Sequence, residues 1–267
     1  MRIRAGYEIA YDCPAPTPML LTLHVHPDRE ADLEAPDDLT TDPALPVEDY
    51  RDLFGNRVSR ILAPAGRTVI SSRFVIRDSG EPDPVAADAV QHAVQDLPAE
   101  VLIYLLPSRY VETEHLSNLA WNLFGGTPTG WPRVQAIVDY AHQRISFGYH
   151  HARNTRTAFE AHEERIGVCR DFAHLAVALC RCMNIPARYC TGYLGDIGIA
   201  PIPGPMDFSA WFEVYLGGAW RTFDARHNKP RIGRILVARG RDATDVSITT
   251  NFGPAFLSGF QVFTDEV

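Results

Sequence analysis

Apolar and polar residues alternate along the first part of the chain, which is the pattern of β-strands with one buried face. MRIRAGYEIAYD at the N-terminus and MLLTLHVHP at 19–27 both place apolar residues at every second position. RTVISSRFVIRD at 67–78 adds a run of β-branched and aromatic residues. The segment 27–49, rich in proline and aspartate, is predicted to be mostly loop. Together these segments predict an N-terminal β-sandwich.

Two histidines stand on the polar side of one of these predicted strands. His24 and His26 alternate with Leu23 and Val25. Such a pair can bind a metal, but the alternation with apolar residues favours two solvent-exposed strand positions instead. We therefore predict no metal site here.

The middle of the chain changes to helical periodicity. Residues 113–124 and 130–145 each carry apolar residues at spacings of three and four, and Thr157 precedes a third short helix. A fourth helix, strongly apolar, is predicted to begin at Gly167-Val168-Cys169 and to end near Met183. Residues 85–112 give no clear pattern.

Strand patterns return after the fourth helix. NIPARYCTGYLG predicts one strand, and SAWFEVYL with AWRTFDA predicts a hairpin around Gly217-Gly218. Further strands are expected in RILVA, SITT and FQVFT. The order of elements predicts an α+β protein: an N-terminal β-sandwich domain over residues 1–110 and an α+β core domain over 111–267.

Composition narrows the function classes. The 267 residues carry a net charge of -8, which argues against a nucleic-acid partner, since phosphate binding needs a basic surface. No apolar run is long enough to cross a membrane, and the N-terminus lacks the apolar segment of a signal peptide, so we expect a cytoplasmic protein. The five cysteines include no CxxC pair, which argues against a disulfide framework and a zinc site.

Cys169 is the residue most suited to chemistry. It stands at the start of a predicted helix, where unpaired backbone N–H groups and the helix dipole favour a thiolate over a thiol. A thiolate is the nucleophilic form of cysteine. The alternative is a small buried residue at the edge of the core.

The segments GVCRDFAHLAVALCRCMNIPARYCTGY and AWFEVYLGGAWRTFDA carry a family resemblance. Over roughly residues 113–228 the chain resembles the core of the bacterial transglutaminase-like superfamily, and the N-terminal region resembles the β domain that often precedes it. The resemblance implies a papain-like fold and a Cys-His-Asp triad that attacks a peptide or other amide bond through a thioester. The acyl group would pass to an amine acceptor or to water, with no metal or organic cofactor.

Carried onto this sequence, the resemblance assigns the nucleophile to Cys169 and the orienting carboxylate to Asp224. The position of the triad histidine, at the start of the hairpin, is occupied by Ser209, and no histidine lies between His174 and His227. Serine cannot accept a proton near neutral pH, so it cannot serve as the base.

Three hypotheses follow from Ser209. His227, three residues beyond Asp224, could serve as a substitute base, or it could be a solvated loop residue. Glu213, on the same strand face as Ser209, could approach the cleft, although a structural pairing with Arg170 or Arg188 is favoured. Finally, the chain could be a non-catalytic binding or scaffold protein with a degenerate site.

Overall fold

The structure is a computed structural model that describes residues 1–201 and 204–267. Its helices and strands follow one another in the order β1 (Arg2–Cys13), β2 (Thr17–Leu21), β3 (Thr40–Asp42), β4 (Glu48–Arg51), β5 (Arg57–Ala63), β6 (Gly66–Arg77), α1 (Thr113–Phe124), α2 (Trp131–Arg144), β7 (Ser146–Phe147), α3 (Ala158–Glu164), β8 (Ile166–Gly167), α4 (Cys169–Cys182), β9 (Ala187–Leu194), β10 (Ser209–Leu216), β11 (Ala219–Phe223), β12 (Arg234–Gly240), β13 (Thr249–Asn251) and β14 (Phe256–Glu266). Residues 85–112, which gave no clear pattern, contain short 3-10 helices at Val94–Asp96 and Ala99–Leu105.

Two four-stranded sheets are built largely from the N-terminal region, with strand orders β14-β1-β6-β3 and β13-β2-β5-β4. The last strands of the chain complete them. β14 runs antiparallel to β1, with Ile3 opposite Glu266, and β13 pairs with β2. The domain division at residue 110 stays a prediction, but the C-terminal strands belong to the same sheets as the N-terminal ones.

The predicted exposure of His24 and His26 is wrong. Their relative exposures are only 2% and 3%. β2 ends at Leu21, and the following residues run toward strand β12. There the backbone N–H of His26 donates to Leu236 O at 2.8 Å. The polar face predicted to meet solvent instead lies between packed elements. There His24 Nε2 is 2.8 Å from Ser59 Oγ.

The second part of the molecule is a four-stranded sheet, β11-β10-β9-β12, packed against helices. Helix α4 lies against β9 and β10, and α1, α2 and α3 pack around it. The helix is buried on nearly every side because other elements surround it. The α+β class predicted from the order of elements is confirmed. Among the residues that the structure describes, no helix has the length and apolar character needed to cross a membrane.

Local signals in the sequence set the ends of these elements. Thr157 caps α3 as predicted: its hydroxyl accepts from the Glu160 N–H at 3.2 Å, and the Glu160 carboxylate accepts from the Thr157 N–H at 3.0 Å. Gly217 and Gly218, with φ of 60° and 78°, form the tight turn between β10 and β11. This turn aligns β10 and β11 antiparallel, so that Ser209 lies at the first residue of β10 and Asp224 directly after β11.

Candidate active site

Cys169 is the first residue of α4, as the sequence predicts. The Asp171 carboxylate fixes the start of this helix, accepting from the Val168 N–H at 2.8 Å and from Arg156 at 3.1 Å. Gly167 is required just before it, because a Cβ there would lie 2.6 Å from the Asp171 carboxylate. The local sequence thus presents the cysteine on a rigid helix N-terminus.

Arg170 does not assist the thiol. Its guanidinium donates to Asn154 O at 2.8 Å and lies over the ring of Tyr110. The side chain therefore braces the loop that precedes α3.

The Cys169 thiol is protonated at neutral pH in this arrangement. Burial raises its pKa to about 11; nearby Asp207 and Asp224 act in the same direction, against Arg226 and a hydrogen bond from the backbone of Ala210. The activating effect predicted from the helix start is outweighed, because the desolvated thiolate has no cationic partner strong enough to offset the loss of water. Cys169 remains half-buried, whereas the other four cysteines are buried.

Ser209 is the first residue of β10, directly before the Ala210 backbone that contacts the Cys169 sulfur. Ser209 also lines a cleft of about 70 Å³. The cleft is further bordered by Tyr149, Leu194, Asp196, Gly204, Pro205, Met206, Asp207, Arg226, His227 and Arg231. The structure thus places Ser209 in the same cleft as His227, one residue before the backbone that contacts the Cys169 sulfur.

Asp224 is buried and makes four hydrogen bonds. Oδ1 accepts from the backbone N–H groups of Arg226 and His227 at 3.0 and 2.9 Å, which closes the turn after β11. Oδ2 accepts from Arg234 Nη2 at 2.8 Å and contacts His227 Nδ1 at 2.8 Å. Burial alone would raise the pKa of Asp224, but Arg234 and His227 hold it well below its usual range. The carboxylate is therefore ionised and orients the His227 ring.

His227 shares the cleft with Ser209. Because Nδ1 faces Asp224, Nε2 is the nitrogen that can act in the cleft. The loop is held in place by Asn228, whose φ of 49° is left-handed and whose amide bonds Asp139 and Gln135 of α2 at 2.9 Å. Among the described residues no hydrogen bond is found between His227 and Cys169, so proton transfer between them needs a bridging group or a small movement.

The remaining candidates have structural roles. Glu213 pairs with Arg188 at 2.6 Å, which is the structural pairing favoured from the sequence, and nothing in its contacts supports a role as base. His174 is fully buried and accepts from the Ala243 N–H at 3.1 Å. Over residues 1–201 and 204–267, no group of three or more His, Cys, Asp or Glu side chains could hold a metal ion.

Three charged residues near the site were missed by sequence reasoning. Asp207 and Arg226 border the cleft, and Arg234 bonds Asp224. Arg226 could have been suspected from its place in DARHN, two residues after Asp224. Arg234 could not, because it stands ten positions beyond the carboxylate that it binds, after a loop with no regular pattern.

Comparison with known proteins supports the family resemblance found in the sequence. Residues 117–225 match the transglutaminase-like superfamily. A solved structure from Cytophaga hutchinsonii, described as a candidate cysteine protease, is 30% identical with a TM-score of 0.84, covering 99% of this chain and 90% of that one. The periplasmic domain of TgpA from Pseudomonas aeruginosa is 15% identical with a TM-score of 0.41, covering 82% of this chain and 75% of that domain.

A curated relative matches over a shorter region. An uncharacterised protein of Mycobacterium leprae (strain TN) is 37% identical over 83 residues, which is 30% of this chain and 30% of that protein. The match therefore spans less than a third of the curated relative. Taken with the family match and the Cytophaga hutchinsonii structure, the sequence and fold lead to one assignment: the chain belongs to the transglutaminase-like superfamily.

Proposed function

We propose that this protein is a cysteine-dependent enzyme that cleaves or transfers the acyl group of a peptide or similar amide, with Cys169 as nucleophile and His227 as base. The observation that carries the proposal is the Asp224–His227 pair, 2.8 Å apart, with His227 lining a cleft whose residues Asp207 and Arg226 act on the pKa of Cys169. Family membership and the likeness to a candidate cysteine protease support the same reaction class.

The raised pKa of Cys169 shapes the mechanism. Because the resting thiol is neutral, His227 Nε2 removes its proton, through a bridging group or after a small movement, as sulfur attacks the amide carbon. The resulting tetrahedral oxyanion is stabilised by the backbone N–H of Cys169 at the start of α4. The imidazolium then returns the proton to the leaving amine, the C–N bond breaks, and a thioester remains on Cys169. Asp224 stabilises the imidazolium throughout.

The thioester has two possible acceptors. Water, deprotonated by His227, releases a carboxylic acid; an amine forms a new amide instead. Both steps return the thiol to Cys169 with its proton, so the cycle closes without any cofactor. Hydrolysis is at least as well supported as transfer, because the Cytophaga hutchinsonii relative, at 30% identity, is described as a candidate protease.

Acylation by p-nitrophenyl acetate, followed by intact mass and by nitrophenol release, tests the proposal. We expect an acetyl adduct that Cys169→Ala abolishes, and turnover that His227→Gln lowers by two to three orders of magnitude. His150→Gln is the matched control, since His150 is exposed and does not line the cleft. If turnover of the wild type equals that of Cys169→Ala, the enzymatic proposal fails.

A second candidate, a non-catalytic binding protein, is favoured by two observations. Ser209 occupies the position at which the family resemblance places the triad histidine, and the Cys169 thiol has a raised pKa. This candidate predicts that the wild type and Cys169→Ala bind the same peptides equally and that neither forms an acyl adduct.

A further inference from the structure

A tyrosine stands level with Cys169 at the point where two short parallel strands end. β7 and β8 pair with Phe147 opposite Gly167, and the Gly148 N–H donates to Gly167 O at 3.1 Å. Two residues beyond the members of that pair are Tyr149 and Cys169. Neighbouring strands lie about 4.8 Å apart, so the register brings the backbones of Tyr149 and Cys169 close together.

The side chains of these two residues also leave the backbone on the same side. The residues that precede them are both extended, Gly148 with φ −170° and ψ 131° and Val168 with φ −115° and ψ 177°. Side chains alternate along an extended backbone, and residues in register share a face of the pair. The Tyr149 ring and the Cys169 thiol are therefore directed to one side of the two chains.

The Tyr149 ring is held by its neighbours and is open to the cleft. It packs edge-on against Phe147, with the ring centres 5.1 Å apart, and the Phe147 ring lies 6.4 Å from that of Phe172 in α4. The Arg226 guanidinium lies 3.8 Å from the centre of the Phe147 ring. Tyr149 lines the same cleft as His227 and is 46% exposed, so a bound substrate can reach its hydroxyl.

The Tyr149 phenol is in the protonation state that donates a hydrogen bond. Burial raises its pKa, and nearby Cys169 and Asp207 act in the same direction, against Arg226. The hydroxyl is therefore protonated at neutral pH. A guanidinium can only donate, so the interaction of Arg226 with the phenol oxygen leaves the O–H available for an acceptor.

We propose that Tyr149 is a catalytic residue of the cleft, whose phenol O–H donates to the carbonyl oxygen of the acyl group that Cys169 attacks. It is the second donor to this oxygen, beside the Cys169 backbone N–H at the start of α4. The inference rests on the proposed function, because it concerns the same acyl group.

The phenol acts on charge that develops during the reaction. As sulfur bonds to the carbonyl carbon, the π electron pair of the C=O bond moves to the oxygen, which accepts from both donors while each keeps its proton. When the C=O bond re-forms, the bond from carbon to the leaving group breaks, and the leaving group departs with that electron pair. Tyr149 therefore stabilises the transition state more than the bound substrate, so its loss affects kcat and not KM.

Two reagents separate this role from a general effect on the thiol. Attack of Cys169 on p-nitrophenyl acetate creates an oxyanion, whereas attack on the disulfide of dithiodipyridine does not. We expect Tyr149→Phe to lower the acetylation rate at saturating ester roughly a hundredfold with KM almost unchanged, and to leave disulfide exchange within about twofold of the wild type. Tyr50→Phe is the matched control, since Tyr50 is exposed and does not line the cleft.

Three results would overturn the inference. Acetylation of Tyr149→Phe at the wild-type rate would show that the hydroxyl is not used. A parallel loss of acetylation and disulfide exchange would show an effect on the thiol or on the fold instead. A wild type that acetylates no more than Cys169→Ala, while its disulfide exchange continues, would refute the proposed function itself and the role of Tyr149 with it.

Discussion

Replacing Ser209 by histidine introduces an imidazole at the start of β10, next to the backbone that contacts the Cys169 sulfur. The cleft of about 70 Å³ that Ser209 lines provides space for the larger side chain. An imidazolium beside the thiol would favour the thiolate, as in other cysteine–histidine pairs. We therefore expect Ser209→His to lower the pKa of Cys169 and to raise its reactivity at neutral pH.

The magnitude follows from the wild-type pKa. With a pKa of about 11, only about one Cys169 in ten thousand is ionised at pH 7. A decrease to about 7 would raise the thiolate fraction roughly 5,000-fold, while the weaker intrinsic nucleophilicity would remove about 60-fold of this gain. The net acceleration toward a disulfide reagent at pH 7 is then roughly a hundredfold.

Reaction with dithiodipyridine across the pH range measures this directly. The other four cysteines are buried, so Cys169 dominates the signal, and Cys169→Ala supplies the background. The wild-type rate should rise about tenfold per pH unit through neutral pH, and Ser209→His should level off near its new pKa. Ser209→Asn controls for size and polarity. The reasoning is refuted if Ser209→His and Ser209→Asn give the same profile.

Three further predictions concern stability, each measured by urea unfolding. The pKa of Asp224 is lower in the folded protein than in the unfolded chain, so its charge stabilises the fold above about pH 4 and this contribution is lost as pH falls further. Asp224→Asn should therefore cost about 3 kcal/mol at pH 7, since Arg234 loses a buried partner, and the difference should shrink in acid; a pH-independent difference would contradict this. Thr157→Ala should cost about 1 kcal/mol by removing the cap of α3, whereas exposed Thr155→Ala should cost little; equal effects would rule out the cap as the cause. At Asn228, whose φ is 49°, alanine should be about 1 kcal/mol less stable than glycine, and a glycine variant no more stable than alanine would show that the left-handed backbone is not the cause.

Features that depend on neighbouring residues could be read from the sequence. The start of α4 at Cys169, the capped α3 and the β10–β11 hairpin all rest on interactions within a few residues. Helix caps and tight turns are local, and apolar periodicity shows which face of an element is buried. The fold class and the placement of Cys169 at a helix start and of Ser209 and Asp224 on a hairpin were therefore accessible before the structure, whereas the roles of Ser209 and Asp224 came only from the family resemblance.

Features that depend on distant parts of the chain were decided by the tertiary structure alone. Periodicity cannot show which surface an element meets, so His24 was expected in solvent and is buried instead. The pairing of β14 with β1 joins the two ends of the chain, and no local pattern encodes it. Likewise, the pKa of Cys169 is set by burial against β10 and not by its helix, because desolvation depends on everything packed around the thiol.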